Sequence, residues 1–364
     1  MPPALKAETD EGLETAQEMF LALLNDSEAE VKHATAMVAA QAAQVFNLRF
    51  VYSSIFPKVE KLVSDEATGP RNELAMVLLE MAEPLGPKYS KELFLDSGLI
   101  ESLVIADPTN ADAQVPTNLR LAVILKLAGV VSVLVGEGPD AESGSFDLAV
   151  PCFKIIRNLC GDKNWRVRHA ALQLLTSVAP LMKPDVFFKF FLDTSDPAAP
   201  INPFSEFAKD NVSLIRVSWV EQCALIADLA DYGSKWLMDC VLEHVTKSGA
   251  QKNYQLQAVL LHAASTFATI VPASYLVSTL LPPLLEMASN RVPNLRVMVA
   301  QSLKDLAERY KAAGAEIGDV SALKAFIRDH LDKELGTLCE DGDMDVAQAA
   351  AEAKAAIASS PLAA

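Results

Sequence analysis

Apolar residues return along this chain at intervals of three and four, and that spacing repeats in block after block. In VMVAQSLKDLAERY, residues Val297, Ala300, Leu303, Leu306 and Ala307 fall on one side of a 3.6-residue helix, while Lys304, Asp305 and Glu308 take the other. Pro293 stands just ahead of the stretch, where a first helical turn tolerates proline because that N–H has no intrahelical acceptor. Alternating apolar and polar runs of the kind that make strands are scarce.

The blocks come in pairs with a recurring junction. An apolar stretch ends in Asp or Asn, and six residues later a cation stands inside the next stretch. The instances are Asp26 with Lys32, Asp65 with Arg71, Asp162 with Arg168, Asp210 with Arg216, and Asn290 with Arg296. A related unit carries Asn118-Leu119-Arg120 after an insertion, and the last has Asp341 with Ala347 where the others have a cation. An Asp or Asn in a short turn can accept from the free backbone N–H groups that open the second helix. A cation one turn further in can reach acidic groups of its own or a neighbouring unit. The junctions recur about every 40–50 residues, the length of a two-helix HEAT unit.

Eight helix pairs follow: 10–24 with 28–46, 50–64 with 70–84, 90–105 with 116–136, 146–160 with 164–182, 185–209 (interrupted) with 212–231, 233–248 with 253–271, 273–289 with 293–312, and 319–340 with 343–359. A lone pair cannot bury its apolar faces, so neighbours must stack. The expected fold is all-α, an α–α superhelix of the HEAT/armadillo type. Residues 1–364 are read as one solenoid, with repeats one to three in 10–136 and repeats four to eight in 146–359. LVGEGPDAESGSF (134–146) and DTSDPAAPINP (193–203) read as exposed insertions, and the tail ASSPLAA as frayed.

Composition agrees with packed helices: 51% of residues are hydrophobic, only 7% aromatic, and there are 15 glycines. A net charge of −16 works against nucleic acid or an anionic membrane as the main partner. The five cysteines, Cys152, Cys160, Cys223, Cys240 and Cys339, show no CxxC spacing and mostly sit in apolar runs, so they read as buried reduced thiols. The opening MPPALKAETDEGLETAQEMF lacks a basic-then-apolar signal pattern. No apolar run reaches about 18 residues without a charge or breaker, so no membrane span is expected. The expected setting is cytoplasmic, with the nucleus as a second location.

Catalytic patterns are missing from the sequence: it contains no GxxxxGK[ST], no GxSxG and no HExxH. Gly136-Glu137-Gly138 lacks a third glycine and reads as a loop. His33, His169, His244, His262 and His330 form no His-Glu dipeptide of the kind that holds iron in some helical-repeat proteins, and Glu243-His244 is the reverse order. Asp343 and Asp345 read as capping and surface charges rather than as an acid–base pair. No catalytic residue, metal or cofactor is therefore expected, and the chain is not read as an enzyme. What remains is the row of turns between paired helices, which in a stacked solenoid share one edge and suit protein recognition. Trp165, beside Arg166 at the start of a second helix, is either a docking residue or packed beneath its own turn. Trp219 and Trp236 lie in apolar helical patterns and are assigned to the core. No polar cap precedes residue 10, so the first pair is expected to attract a further partner or a second copy.

At this point the residues resemble a known family. DKNWRVRHAALQLLTSVAPLM, VPNLRVMVAQSLKDL, LNDSEAEVKHATAMVAAQA, FPKVEKLVSD, YGSKWLMDCVLEHV and CEDGDMDVAQAAAEA all look like segments of the scaffolding A subunit of protein phosphatase 2A. The likeness spans most of this chain and covers the C-terminal half of that longer horseshoe. The resemblance implies a non-catalytic scaffold whose last five repeats hold the phosphatase catalytic subunit through their turns. It also implies a further partner, a regulatory B-type subunit, on earlier repeats. Carried over position by position, the contact residues fall on Trp165 and Arg166, Val212 and Ser213, Asn253 and Tyr254, Val292, Pro293 and Asn294, and Asp343 and Met344. The chain departs from the family at Asn164 and Gln257, where the family has Lys and Arg. The alternative is a HEAT adaptor for another client, in transport or the cytoskeleton. Tubulin-binding HEAT domains present basic turns, which an acidic chain matches poorly.

Overall fold

The computed structural model describes residues 10–65, 70–105, 115–136, 146–193, 203–242, 253–314 and 320–363. Among these residues every regular element is helical. The chain divides into two compact units, Met1–Leu181 and Met182–Ala364.

The first unit holds α1 (Asp10–Leu24), α2 (29–43), α3 (48–64), α4 (71–85), α5 (87–104), α6 (Thr117–Val135), α7 (Phe146–Cys160) and α8 (165–181). The second holds α9 (184–192, resuming at 203–209), α10 (Ser213–Ala227), α11 (233–242), α12 (Tyr254–Thr266), α13 (273–288), α14 (Pro293–Ala313), α15 (321–339) and α16 (Met344–Ala358). These are the eight pairs, with ends within a few residues of those read from periodicity. The centres of both sequence insertions, 137–145 and 194–202, lie outside the described residues, as does His244.

Second helices pack on second helices. In the first unit α4 lies against α2 and α6, and α6 against α8; in the second, α10, α12, α14 and α16 follow in order. The layer is filled by apolar faces at helical spacing, such as Leu119, Val123, Leu127 and Val130 on α6, and Val299, Leu303, Leu306 and Tyr310 on α14. Val297, expected in that face of α14, is only half-buried, and Val299 takes its place. First helices form the other layer. Six of them carry a π-helical turn, at 51–55, 91–96, 188–192, 237–242, 276–280 and 327–331. The extra residue widens the helix there and lets it bend over the layer beneath. Among the described residues, second helices have no such turn.

Three details depart from the sequence reading. Helix α6 has 19 residues and is, by length and composition, apolar enough to cross a bilayer. It is instead a core helix: its buried face meets α4, α5, α7 and α8, and Lys126 pairs with Glu80 at 2.6 Å. The junction between α4 and α5 is a kink at Gly86, whose φ of 73° is open to glycine without strain. The tail expected to fray is anchored, with Leu362 fully buried and its N–H donating to Ser360 Oγ at 3.1 Å.

Candidate docking edges

The Asx turn of the junction motif recurs wherever the turn is described. The side chain of the turn's Asp or Asn accepts from the backbone N–H two residues on: Asp26 from Glu28 at 2.8 Å, Asp162 from Asn164 at 2.7 Å, Asp210 from Val212 at 2.8 Å, Asn290 from Val292 at 2.9 Å, and Asp341 from Asp343 at 2.9 Å. This Asx turn supplies an acceptor to a donor that the helix itself leaves bare. The arginine six residues later then reaches back to the carbonyl of the same Asp or Asn: Arg168 to Asp162 at 2.8 Å, Arg216 to Asp210 at 2.6 Å, and Arg296 to Asn290 at 2.7 Å. One turn is thus closed at both its N–H and its C=O groups. Residues 66–69 of the Asp65–Arg71 instance lie outside the described residues.

Two arginines also tie neighbouring pairs together. Arg296 forks onto Asp341 of the next turn at 2.7 and 2.8 Å. That guanidinium, with the N–H of Asp343, holds the Asp341 carboxyl below the usual carboxylate range. Arg120, almost fully buried, donates to the Val104 carbonyl at 2.6 Å and forks onto Asp162. Each fork couples two successive helix pairs with charge-assisted hydrogen bonds.

Three second helices, α8, α12 and α16, open with a further cap. Asn164 accepts from the Arg166 N–H at 3.0 Å and donates to Thr117 Oγ1 at 3.0 Å. Asn253 accepts from Gln255 at 2.9 Å, and Asp343 from Asp345 at 3.0 Å and Val346 at 3.4 Å. Capping is therefore what Asp343 does, in line with its sequence context. With these polar groups satisfied, the following side chains are turned outward. Trp165 is 37% exposed, Tyr254 43%, Val292 38% and Met344 84%. Arg166 lies over the Trp165 ring at 5.5 Å. Asn294 donates to Tyr254 Oη at 2.5 Å, joining the openings of α12 and α14. Pro293 opens α14 and is exposed, as are Ser213, Asn253 and Asn294.

In the fifth pair the exposed apolar side chains lie just beyond Val212 and Ser213. Val212 is half-buried at the cap, whereas Leu214 and Val217, one turn apart on α10, are 49% and 41% exposed. The signal for them was present: both fall off the buried face formed by Ile215, Ser218 and Trp219. Trp219 and Trp236 are buried, as assigned.

Among the described residues no three His, Cys, Asp or Glu side chains gather as metal ligands. Burial pushes the Cys152 and Cys160 thiols up to about 12, and Cys223 well above the usual thiol value, so none supplies a thiolate at neutral pH.

Stacked helix pairs of this kind are the all-α repeat fold of the HEAT/armadillo type. A PPP2R1A-like HEAT repeat matches residues 12–86, and a HEAT repeat matches residues 152–182. Over 117 residues, 32% of this chain and 18% of the relative, the sequence is 29% identical to the regulatory A subunit of protein phosphatase PP2A from Saccharomyces cerevisiae. The chain thus matches less than a fifth of that relative's length. Among solved structures, Kap121p bound to RanGTP superposes with a TM-score of 0.57 at 14% identity, over 94% of this chain and 34% of that one. Kap121p bound to Nup53p gives 0.51 at 14% identity, over 95% and 38%. At such identities the karyopherin likeness describes the fold alone.

Proposed function

We propose that this chain is a non-catalytic scaffold that holds the catalytic subunit of a type 2A serine/threonine phosphatase along its inter-helix turns. The observation that carries the reading is the recurrence of one exposed apolar or aromatic side chain at the start of successive second helices: Trp165, Leu214, Tyr254, Val292 and Met344. Side chains held outward at the openings of packed helices are preorganised contacts that lose little entropy on docking. The likeness to the yeast PP2A regulatory protein and to a PPP2R1A-like HEAT repeat supports a phosphatase as the client. In this reading residues 146–359 carry the contacts, earlier repeats remain available to a regulatory B-type subunit, and the complex works in the cytoplasm and nucleus. The scaffold acts by fixing which substrates the phosphatase meets.

Affinity purification of the chain from cells, with partner identification and a phosphatase assay on the eluate, tests this. The expected result is a phosphatase catalytic subunit whose recovery falls about tenfold or more in Trp165→Ala/Arg166→Ala. Full recovery by that variant rejects the mapped edge. A transport or cytoskeletal client in place of a phosphatase selects the alternative adaptor reading.

A further inference from the structure

Helix α1 has a second apolar face that no other described element covers. Its inner face is marked by buried Gln17 and Leu24, with Leu13, Phe20 and Leu21 half-buried. At 100° per residue, the opposite side carries Gly12, Thr15, Ala16, Met19, Ala22 and Leu23, all exposed and none charged. Met19 is 63% exposed and Leu23 43%. Gly12, Ala16, Met19 and Leu23 follow one another at spacings of four, three and four, the spacing of a seam that receives a second helix. Small residues at the first two positions allow close approach, and the larger pair supplies the knobs.

The charges beside this seam are of one sign. Glu11, Glu14 and Glu18 are exposed along one flank, between the outer and inner faces. Two copies of α1 packed antiparallel through the seam in a two-fold pair would bring like flanks together, so carboxylate would meet carboxylate; packed parallel, each acidic flank would face the uncharged side that carries Ala16 and Phe20 and would gain no cation. Further exposed apolar side chains lie beside the inner face of α1. Phe46 and Asn47 pack on it, through the Phe20 ring at 5.5 Å and Gln17 Oε1 at 3.3 Å, and their neighbours Val45 and Leu48 are 52% and 41% exposed.

We propose that this face is a docking site for a cationic amphipathic helix of a partner protein, its apolar seam on Met19 and Leu23 and its lysines or arginines against Glu11, Glu14 and Glu18. The site lies on the first helix pair and does not depend on what the inter-helix turns bind.

The test titrates the full chain, by calorimetry, with a synthetic three-heptad helical peptide bearing a leucine seam flanked by lysine and arginine. A control peptide keeps the seam and carries glutamate flanks. The cationic peptide is expected to bind, the glutamate peptide to bind at least about tenfold more weakly, and Met19→Ser/Leu23→Ser to weaken the cationic peptide about tenfold. Glu14→Gln/Glu18→Gln should weaken it too. Leu225→Ser, at an exposed apolar position far along the chain, should leave it unchanged. No binding by wild type, or equal binding by Met19→Ser/Leu23→Ser, overturns the proposal, the latter by reducing it to attraction toward an acidic protein. Sedimentation showing a dimer that Met19→Ser/Leu23→Ser dissolves also overturns it, because the occupant is then a second copy.

Discussion

The junction between the fifth and sixth pairs and the junction between the seventh and eighth present similar edges over different foundations. Beneath the first, Phe187 sits among Phe191, Phe204, Tyr232 and Trp236, with ring centroids 5.2 to 6.0 Å away. Beneath the second, α14 meets the alanine-rich α16 through Ala350 and Ala353, and the Arg296–Asp341 fork spans the two turns. Yet both junctions offer an exposed apolar side chain at the opening of a second helix, Leu214 in one and Met344 in the other. What they share is the closed turn: an Asx acceptor, and in α10 and α14 an arginine returned to the carbonyl six residues back. The edge is set by backbone hydrogen bonding local to each turn, and the core beneath is free to change.

Substitutions can separate foundation from edge. The largest effect is expected from Phe187→Ala, which opens a cavity in a fully buried cluster and should destabilise the second unit by about 3–5 kcal/mol in urea unfolding. Arg296→Ala removes a mostly buried fork and a carbonyl contact, leaving Asp341 without its cation, and should cost about 2–3 kcal/mol. Arg216→Ala, which loses the bond to its own turn's carbonyl, should cost less, about 1–2 kcal/mol. Equal losses from the two arginines would mean that the fork adds nothing to the seventh and eighth pairs.

The fork also carries a pH signature. The Asp341 carboxyl is held below its ordinary value in the fold, so its contribution is complete above that ordinary value, about 3.9, and drains away as pH falls through the depressed one. Asp341→Asn should therefore be less stable than wild type at neutral pH, with the gap closing as the solution is acidified below pH ~4. A constant gap across that range would assign the loss to packing. The smallest effect belongs to the edge itself: Leu214→Ser and Met344→Ser remove exposed side chains and should shift stability by no more than about 0.5 kcal/mol.

Much of this architecture was legible in the sequence because its signals are local. The Asp or Asn with a cation six residues on encodes a turn closed by contacts that span only those six residues, so the junctions could be placed without knowing what packs beneath them. Asn164, Asn253 and Asp343 as helix caps follow from the same short-range chemistry. Features that depend on neighbours were harder to see. Leu214 and Val217 stand off the buried face of α10, a signal that its periodicity carried, whereas the half-burial of Val212 at the cap lies outside that helical pattern. The π-helical turns of the first helices answer to the layer beneath them. Leu362 lies past the end of the helical periodicity, which carries no signal of its burial.

The most direct test measures the affinity of a purified type 2A phosphatase catalytic subunit for the wild-type chain and for Leu214→Ser/Tyr254→Ser/Met344→Ser, after circular dichroism has shown equal helicity. The closed-turn account predicts binding by wild type and a loss of about a hundredfold or more in the variant. Unchanged affinity with the fold intact, or no affinity in the wild type, would contradict it.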